Sequence, residues 1–165
     1  MVTRWQRAES VSRRQVITGQ PTCIWLTRAG LALLDLPYSV WTPTPAGLTH
    51  VLAINQVRLW LERACPDARW RSERQLRSER PLTRRATLLE HRPDAEVQFG
   101  VQTVAIEVEL SAKTPQRVPA MLYELAGRYD SIWYFCSQAT EASMRRALAQ
   151  LEAAVQRKFS VVSLP

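Results

Sequence analysis

Two short runs of alternating apolar and acidic residues constrain this chain more than any other feature of its sequence. The runs cover residues 94–99 and 104–110, and a short turn containing Gly100 joins them. Successive side chains of a β-strand point to opposite faces of the sheet, so alternation of this kind is typical of strands. Two such runs around a short turn predict a β-hairpin, and the fold must contain a sheet that accommodates it.

The alternation also assigns the side chains of this hairpin to two faces. The apolar face contains Ala95, Val97, Phe99, Ile106, Val108 and Leu110, and the opposite face contains Asp94, Glu96, Gln98, Ala105, Glu107 and Glu109. If the apolar side chains pack on a common core, up to four carboxylates gather on one patch. Carboxylates that close repel one another, so the patch requires water, Arg or Lys partners, or a divalent cation. A solvated outer face whose acids pair with arginines is the simpler alternative.

The charge balance indicates the class of partner. The chain has 165 residues, with 22 Lys and Arg against 15 Asp and Glu, and a net charge of +7. Only Lys113 and Lys158 are lysines, so the basic side chains are almost all arginines. The guanidinium fork matches phosphate oxygens, and counterion release drives binding to a polyanion. This composition favours a partner that carries phosphate, although arginine usage that follows genome base composition is an open alternative.

Residues 69–85 are the stretch best suited to phosphate contact. They contain seven arginines and Trp70 against only two acids, Glu73 and Glu79. Arginines interleaved with an aromatic side chain are typical of a nucleic-acid-binding surface. The predicted DNA contacts are Arg69, Arg71, Arg74, Arg77, Arg84 and Arg85. A solvated face whose arginines pair with neighbouring acids is the equally open alternative.

Periodicity and turn signals divide the rest of the chain into short elements. We expect a helix or loose arm over residues 1–15, strands at 16–18 and 22–26, a helix after Thr27, a linker at 38–47, a helix from 48 to 65, a strand at 69–73, a helical or irregular segment at 74–80, a helix at 115–128, a buried strand at 130–136, a long helix at 140–158 and a last strand at 159–164. This order predicts an α/β fold with a three-layer mixed sheet. Residues 48–165 form its main domain, and residues 1–47 form a partial winged-helix extension and linker.

Several other functional classes find no support in the sequence. Cys23, Cys65 and Cys136 are scattered, so neither a disulfide framework nor a zinc site is indicated. We find no Gly-rich phosphate loop, dinucleotide fingerprint or Ser/His/Asp arrangement. No run approaches the roughly 18 apolar residues of a membrane span, so we expect a cytoplasmic protein without membrane contact. His50, at a predicted helix start, is either a functional group or a capping or packing residue.

The order of elements, with acids on the last two of three strands, resembles the core of PD-(D/E)XK nucleases. Pro93-Asp94 resembles the first motif of that family, and Glu107 resembles the acid of its second motif. The resemblance implies a restriction-endonuclease-like core in which Asp94 and Glu107 bind Mg²⁺ or Mn²⁺, which activates water and stabilises charge on the phosphate. The lysine of the motif belongs at position 109, where this chain has Glu109. Lys113 is then the candidate substitute, and Glu109 extends the site or holds a water.

Several short motifs also resemble the replication-relaxation family of bacterial plasmids and integrative elements. They cover residues 25–31, 48–62, 72–77, 93–95, 105–113 and 133–135. The resemblance implies DNA transactions on a mobile genetic element, in plasmid replication, mobilisation or transcriptional control. Family members usually begin with a full winged helix-turn-helix, whereas only the wing and the following helix are recognisable here. A homodimer, or a partner that supplies DNA recognition, therefore stays open.

Two functions are compatible with these residues. The first is a metal-dependent DNA endonuclease, a hydrolase that nicks or cleaves DNA with Asp94, Glu107, Glu109 and Lys113 as its catalytic set. The second is a catalytically inactive DNA-binding accessory on the same scaffold. Glu109 is the feature that separates them, because a glutamate in place of lysine removes positive charge from the scissile phosphate. A protein-binding module with its aromatic residues at an interface is a third alternative.

Overall fold

The computed structural model describes residues 12–15, 23–41, 44–79, 91–111 and 118–165. The chain divides into two compact units, Met1–Thr49 and His50–Pro165. The described residues have an α/β architecture with a two-stranded sheet, a five-stranded mixed sheet and six helices. None of the helices in these ranges is both long enough and apolar enough to cross a membrane.

The first unit contains a short antiparallel pair followed by a helix. β1 (Ser12–Gln15) pairs with β2 (Cys23–Leu26). The expectation of a helix or loose arm up to residue 15 is therefore wrong for β1, because cross-strand pairing overrides the weak local pattern. The strand predicted at 16–18 lies outside the described residues. α1 (Arg28–Leu33) begins as predicted after Thr27, whose Oγ1 accepts a hydrogen bond from Gly30 N at 3.2 Å.

The next helix, α2 (Pro45–Ala64), begins three residues earlier than its apolar pattern predicts. Proline is well suited to the first turn of a helix, because the N–H that it lacks has no partner there. Thr44 precedes it, and its Oγ1 accepts a hydrogen bond from Gly47 N at 3.2 Å. The end of the predicted linker is therefore helical.

The second unit is built on a mixed sheet whose five strands lie in chain order. The strands are β3 (Arg69–Ser72), β4 (Ala95–Phe99), β5 (Gln102–Glu109), β6 (Ser131–Cys136) and β7 (Phe159–Ser163). The first three strands are antiparallel, and β5, β6 and β7 are parallel. The predicted hairpin is confirmed as β4 and β5, with Gly100 at a φ of 59° in its turn.

Helices α3 (Glu73–Glu79), α4 (Val118–Arg128), α5 (Gln138–Leu148) and α6 (Ala153–Gln156) complete the second unit. The single long helix predicted for residues 140–158 is wrong, because the chain turns between α5 and α6. A strand of six residues spans about 20 Å, and an eleven-residue helix spans about 16 Å. A helix continuing to Lys158 would run past the sheet, so the chain turns to enter β7 parallel to β6.

Apolar clusters cover both faces of the sheet. On one face α2 packs on the apolar side of the hairpin, through Ala53, Val57, Leu61, Ala95, Val97, Val104, Ile106 and Val108. On the other face α4 and α5 pack on the opposite side, through Ala105, Leu122, Leu125, Ile132, Tyr134, Met144 and Leu148. The predicted alternation of β5 is confirmed, but its acidic side is not a solvated face. Glu96, Glu107 and Glu109 are only 3%, 3% and 6% exposed.

Candidate functional site

Three acidic residues, Asp94, Glu107 and Glu109, lie where the chain enters β4 and leaves β5. Ala95 pairs with Ile106, so the antiparallel register carries Asp94 to the level of Glu107. Asp94 Oδ2 accepts a hydrogen bond from Val108 N at 2.8 Å, which joins the start of β4 directly to β5. Glu109 lies two residues beyond Glu107, on the same side of the strand. The hairpin therefore brings together three of the predicted catalytic residues.

His50 of α2 lies against this acidic group. Its Nε2 hydrogen-bonds Asp94 Oδ1 at 2.9 Å. This hydrogen bond raises the pKa of His50, burial opposes the rise, and the charges of Asp94, Glu107 and Glu109 add to it. The His50 side chain is 39% exposed and that of Asp94 is 17% exposed, so the imidazole lies nearer to solvent than the carboxylate. The helix begins at Pro45, five residues before His50, so the expectation of a helix cap is wrong, and the functional and packing alternatives both stay predictions.

His91 makes the equivalent contact with the second acid. Its Nε2 lies 2.8 Å from Glu107 Oε1. The backbone of His91 is held by two side chains of α4. Its N–H donates to both carboxylate oxygens of Glu124, at 3.0 and 3.2 Å, and its carbonyl accepts from Arg128 Nη1 at 3.0 Å. The sequence contains two histidines, and both contact a carboxylate of the predicted site.

Tyr134 of β6 forms the buried wall behind the acids. It pairs with Glu107 in the parallel register and is fully buried. Burial raises the pKa of Tyr134, and the charges of Glu107, Glu109 and Asp94 raise it further. The phenol therefore stays neutral at physiological pH and adds no negative charge to the group.

Glu96 faces the same side of the sheet but belongs to a different network. Arg71 Nη1 donates to Glu96 Oε2 at 2.7 Å, and the hydroxyl of Tyr129 donates to Glu96 Oε1 at 2.7 Å. Arg71 also forms an ion pair with Glu79. Of the four acids predicted to share one patch, Asp94, Glu107 and Glu109 therefore form one group, whereas Glu96 is bound to Arg71 and Tyr129.

The predicted DNA-contacting arginines have different surroundings. Arg71 is bound to acids, and Arg77 pairs with Glu73 Oε1 at 2.5 Å, as the pairing alternative expects. Arg69 and Arg74 are exposed. Arg84, Arg85 and Lys113 lie outside the described residues. Glu73 N donates to Asp94 O at 2.9 Å, so this arginine-bearing segment adjoins the acidic group.

Asp94 and Glu107 offer oxygen donors that suit Mg²⁺ or Mn²⁺. Across the described ranges, no group of three or more His, Cys, Asp or Glu side chains is arranged to hold a metal ion. Magnesium usually keeps several waters and binds through one or two carboxylates together with substrate phosphate. A pair of adjacent carboxylates is therefore a sufficient protein contribution for this ion.

Two site residues were not singled out by the sequence. His91 lies outside the alternating runs, and its place three residues before Asp94 was the available signal. Tyr134 stood in an almost continuous apolar run, which indicates only a buried strand.

Comparison of the chain with protein-family models, curated proteins and solved structures finds no match. The resemblance to PD-(D/E)XK nucleases and to the replication-relaxation family therefore stays a prediction.

Proposed function

We propose that this chain is a DNA-binding protein whose nuclease-like core hydrolyses phosphodiester bonds with a divalent cation. The observation that carries the proposal is that Asp94, at the start of β4, lies beside Glu107 of β5. A histidine imidazole contacts each of the two carboxylates. Glu109 adds a third acid that acts electrostatically on the same imidazole, His50. Gathered carboxylates repel one another, and a cation offsets that repulsion.

The order and direction of the strands support a restriction-endonuclease-like core. A helix, α2, precedes an antiparallel set of three strands, and α4 then crosses to the parallel strand β6. The helices cover opposite faces of the sheet. Asp94 immediately precedes the second strand of this set and Glu107 lies on the third, in agreement with the two acidic motifs that the sequence resembles.

Asp94 and Glu107 would hold the cation through their carboxylate oxygens. When bound, Mg²⁺ or Mn²⁺ activates water and stabilises the charge that develops on the phosphate. The protein contributes a rigid frame, because Val108 N fixes one oxygen of Asp94 and the backbone carbonyl of Asp94 accepts from Glu73 N. Burial of Glu107 keeps its carboxylate in a low-dielectric setting, where electrostatic interactions are stronger than in water.

The DNA backbone would bind beside this site. Arg69 and Arg74 are exposed on β3 and α3, and Glu73 between them contacts the backbone of Asp94. Arginine contacts to phosphate fix the register of a duplex without reading its sequence. The assignment to plasmid replication or another mobile-element process rests on the replication-relaxation motifs in the sequence.

A specific observation favours a second function, a catalytically inactive DNA-binding accessory. Glu109 occupies the motif position of lysine, and it is buried at 6% exposure. It therefore adds negative charge where a nuclease of this type carries a positive one. In this alternative the three acids and two histidines hold the sheet together and leave DNA binding to the arginines.

Plasmid cleavage separates the two functions. The purified chain would be incubated with supercoiled plasmid in Mg²⁺, in Mn²⁺ and in EDTA, beside Asp94→Asn and Glu107→Gln, with a gel shift on the same DNA. We expect metal-dependent nicking that each substitution reduces by at least about 100-fold, because removing one electrostatic group of a reaction centre costs rate on this scale. DNA binding should persist in both variants.

Glu62→Gln is the matched control for loss of one carboxylate. Glu62 is exposed on α2 and pairs with Arg58 at 2.7 Å, away from the acidic group. Binding without cleavage in any metal would exclude the enzyme and support the accessory. Absence of both binding and cleavage would exclude both functions and favour a protein partner.

A further inference from the structure

We infer that His50 and His91 are positioning residues of the proposed cation site, and that Glu124 and Arg128 act on the site through His91. Each histidine fixes the carboxylate that it contacts. The inference rests on the proposed function, since it assigns these residues a role toward a cation held by Asp94 and Glu107. It also gives a purpose to both histidines of the chain, which the nuclease motifs do not include.

The carboxylate of Asp94 is held in one orientation. Its two carboxylate oxygens have different partners: Val108 N contacts Oδ2 at 2.8 Å, and His50 Nε2 contacts Oδ1 at 2.9 Å. Contacts to both oxygens prevent rotation of the carboxylate about its terminal torsion. A carboxylate has about four lone-pair sites, so the sites that remain point in fixed directions.

Glu107 is held through a longer chain of contacts. His91 lies in a segment before β4, and both of its backbone groups bond to side chains of α4. Arg128 Nη1 also donates to Glu124 Oε1 at 3.3 Å, so the two residues of α4 brace each other. His91 then delivers its imidazole to Glu107 Oε1 at 2.8 Å. Helix α4 thereby determines the position of an acid on β5.

A histidine beside a carboxylate can also weaken cation binding. An imidazole that only neutralised its carboxylate would compete with a cation, and its removal would strengthen cation binding. An imidazole that orients the carboxylate strengthens binding, and its removal costs about 10- to 100-fold in affinity, as for outer-shell partners of metal ligands in general. The paired contacts on Asp94 and the bracing of His91 favour orientation.

Direct calorimetric titration of the full chain with Mn²⁺ tests the inference without any activity measurement. The variants are His50→Ala, His91→Ala, His50→Gln, His91→Gln and Glu124→Gln. Glutamine carries its amide nitrogen about where the imidazole Nε2 lies, so it keeps the donor and removes the ring. We expect both alanine variants to weaken Mn²⁺ binding by about 10- to 100-fold, and both glutamine variants to restore most of the affinity.

Glu124→Gln should weaken Mn²⁺ binding by a smaller factor, and Glu62→Gln on the exposed face of α2 should leave it unchanged. Thermal melts in EDTA identify any variant that fails to fold. If an alanine variant fails to fold, a leucine variant at the same position replaces it, because leucine fills the space of the ring without a donor. A positioning role predicts weaker Mn²⁺ binding with leucine and near-normal binding with glutamine, whereas equal affinity in both would overturn it.

Two results would overturn the inference in distinguishable ways. Wild-type protein that binds Mn²⁺, with equal or tighter binding in the alanine variants, would exclude the positioning role and leave the proposed cation site intact. Wild-type protein that binds DNA but shows no Mn²⁺ binding, either alone or with the DNA present, would exclude the cation chemistry itself, and the positioning role with it.

Discussion

Glu96 and Glu107 are equally buried on adjacent strands, yet their surroundings differ in kind. Each is 3% exposed. Glu96 is bound by Arg71 and by the hydroxyl of Tyr129, whereas Glu107 faces two other acids and contacts the imidazole of His91. Arginine is always charged, and histidine changes its charge near neutral pH. Glu96 therefore has a partner whose charge does not change with pH, whereas His91, the partner of Glu107, belongs to a residue type that titrates near neutral pH.

The largest effect on stability should come from removing Arg71, the arginine that pairs with Glu96. Arg71→Ala leaves the carboxylate of Glu96 buried without its main charged partner, and we expect the free energy of unfolding to fall by roughly 3 kcal/mol. Urea denaturation in EDTA measures this. Arg77→Ala, which breaks the exposed pair with Glu73, should change stability by less than about 0.5 kcal/mol. Equal losses of unfolding free energy in Arg71→Ala and Arg77→Ala would mean that the buried ion pair of Glu96 contributes no more to stability than the exposed pair of Glu73.

Replacing Glu96 or Glu107 with glutamine compares the contributions of the two buried charges to stability. Glu96→Gln weakens two hydrogen bonds to a charged acceptor, so we expect it to lower the free energy of unfolding by about 2 kcal/mol. Glu107→Gln also removes repulsion from Asp94 and Glu109, so in EDTA it should cost less than about 1 kcal/mol, or stabilise the fold. The same urea series measures both variants. A larger loss of unfolding free energy for Glu107→Gln than for Glu96→Gln would contradict the expectation that Glu96 is the acid whose charge stabilises the fold.

The smallest effect concerns pH and His50. Contact with Asp94 raises the pKa of His50 above its value of 6.5 in the unfolded chain. The stabilisation is therefore fully present below the unfolded pKa and is lost as the pH rises through the higher folded pKa. In EDTA we expect this contribution to the free energy of unfolding to decline above pH 6.5, and His50→Gln to flatten the decline. Identical urea midpoints against pH in wild type and variant would contradict this expectation.

The sequence predicted those features that depend on neighbours along the chain. Alternation around Gly100 predicted the hairpin and the faces of its residues, and it named Asp94, Glu107 and Glu109 together. Thr27 predicted the start of α1 through its side-chain cap. Each of these signals acts over a few residues, so it is visible before any tertiary packing is known.

The features that the sequence did not predict depend on contacts between distant segments. His91 reaches its place through Glu124, 33 residues away, and Glu96 is removed from the acidic patch by Tyr129, also 33 residues away. The break between α5 and α6 follows from the length of β6, which local helical periodicity does not encode. The acids were predictable from the strand period, but their partners were not.

The bracing of His91 by α4 also has a consequence for the order of assembly. During synthesis the N-terminal parts of a chain emerge first, and local hairpins can form before segments that follow them. The hairpin of β4 and β5 is complete at Glu109, whereas Glu124 and Arg128 follow later. The contacts of Glu124 and Arg128 with His91 can therefore form only after the residues of the hairpin have been synthesised. The position of Glu107 seen in the structure is therefore fully braced only after α4 has packed on the sheet.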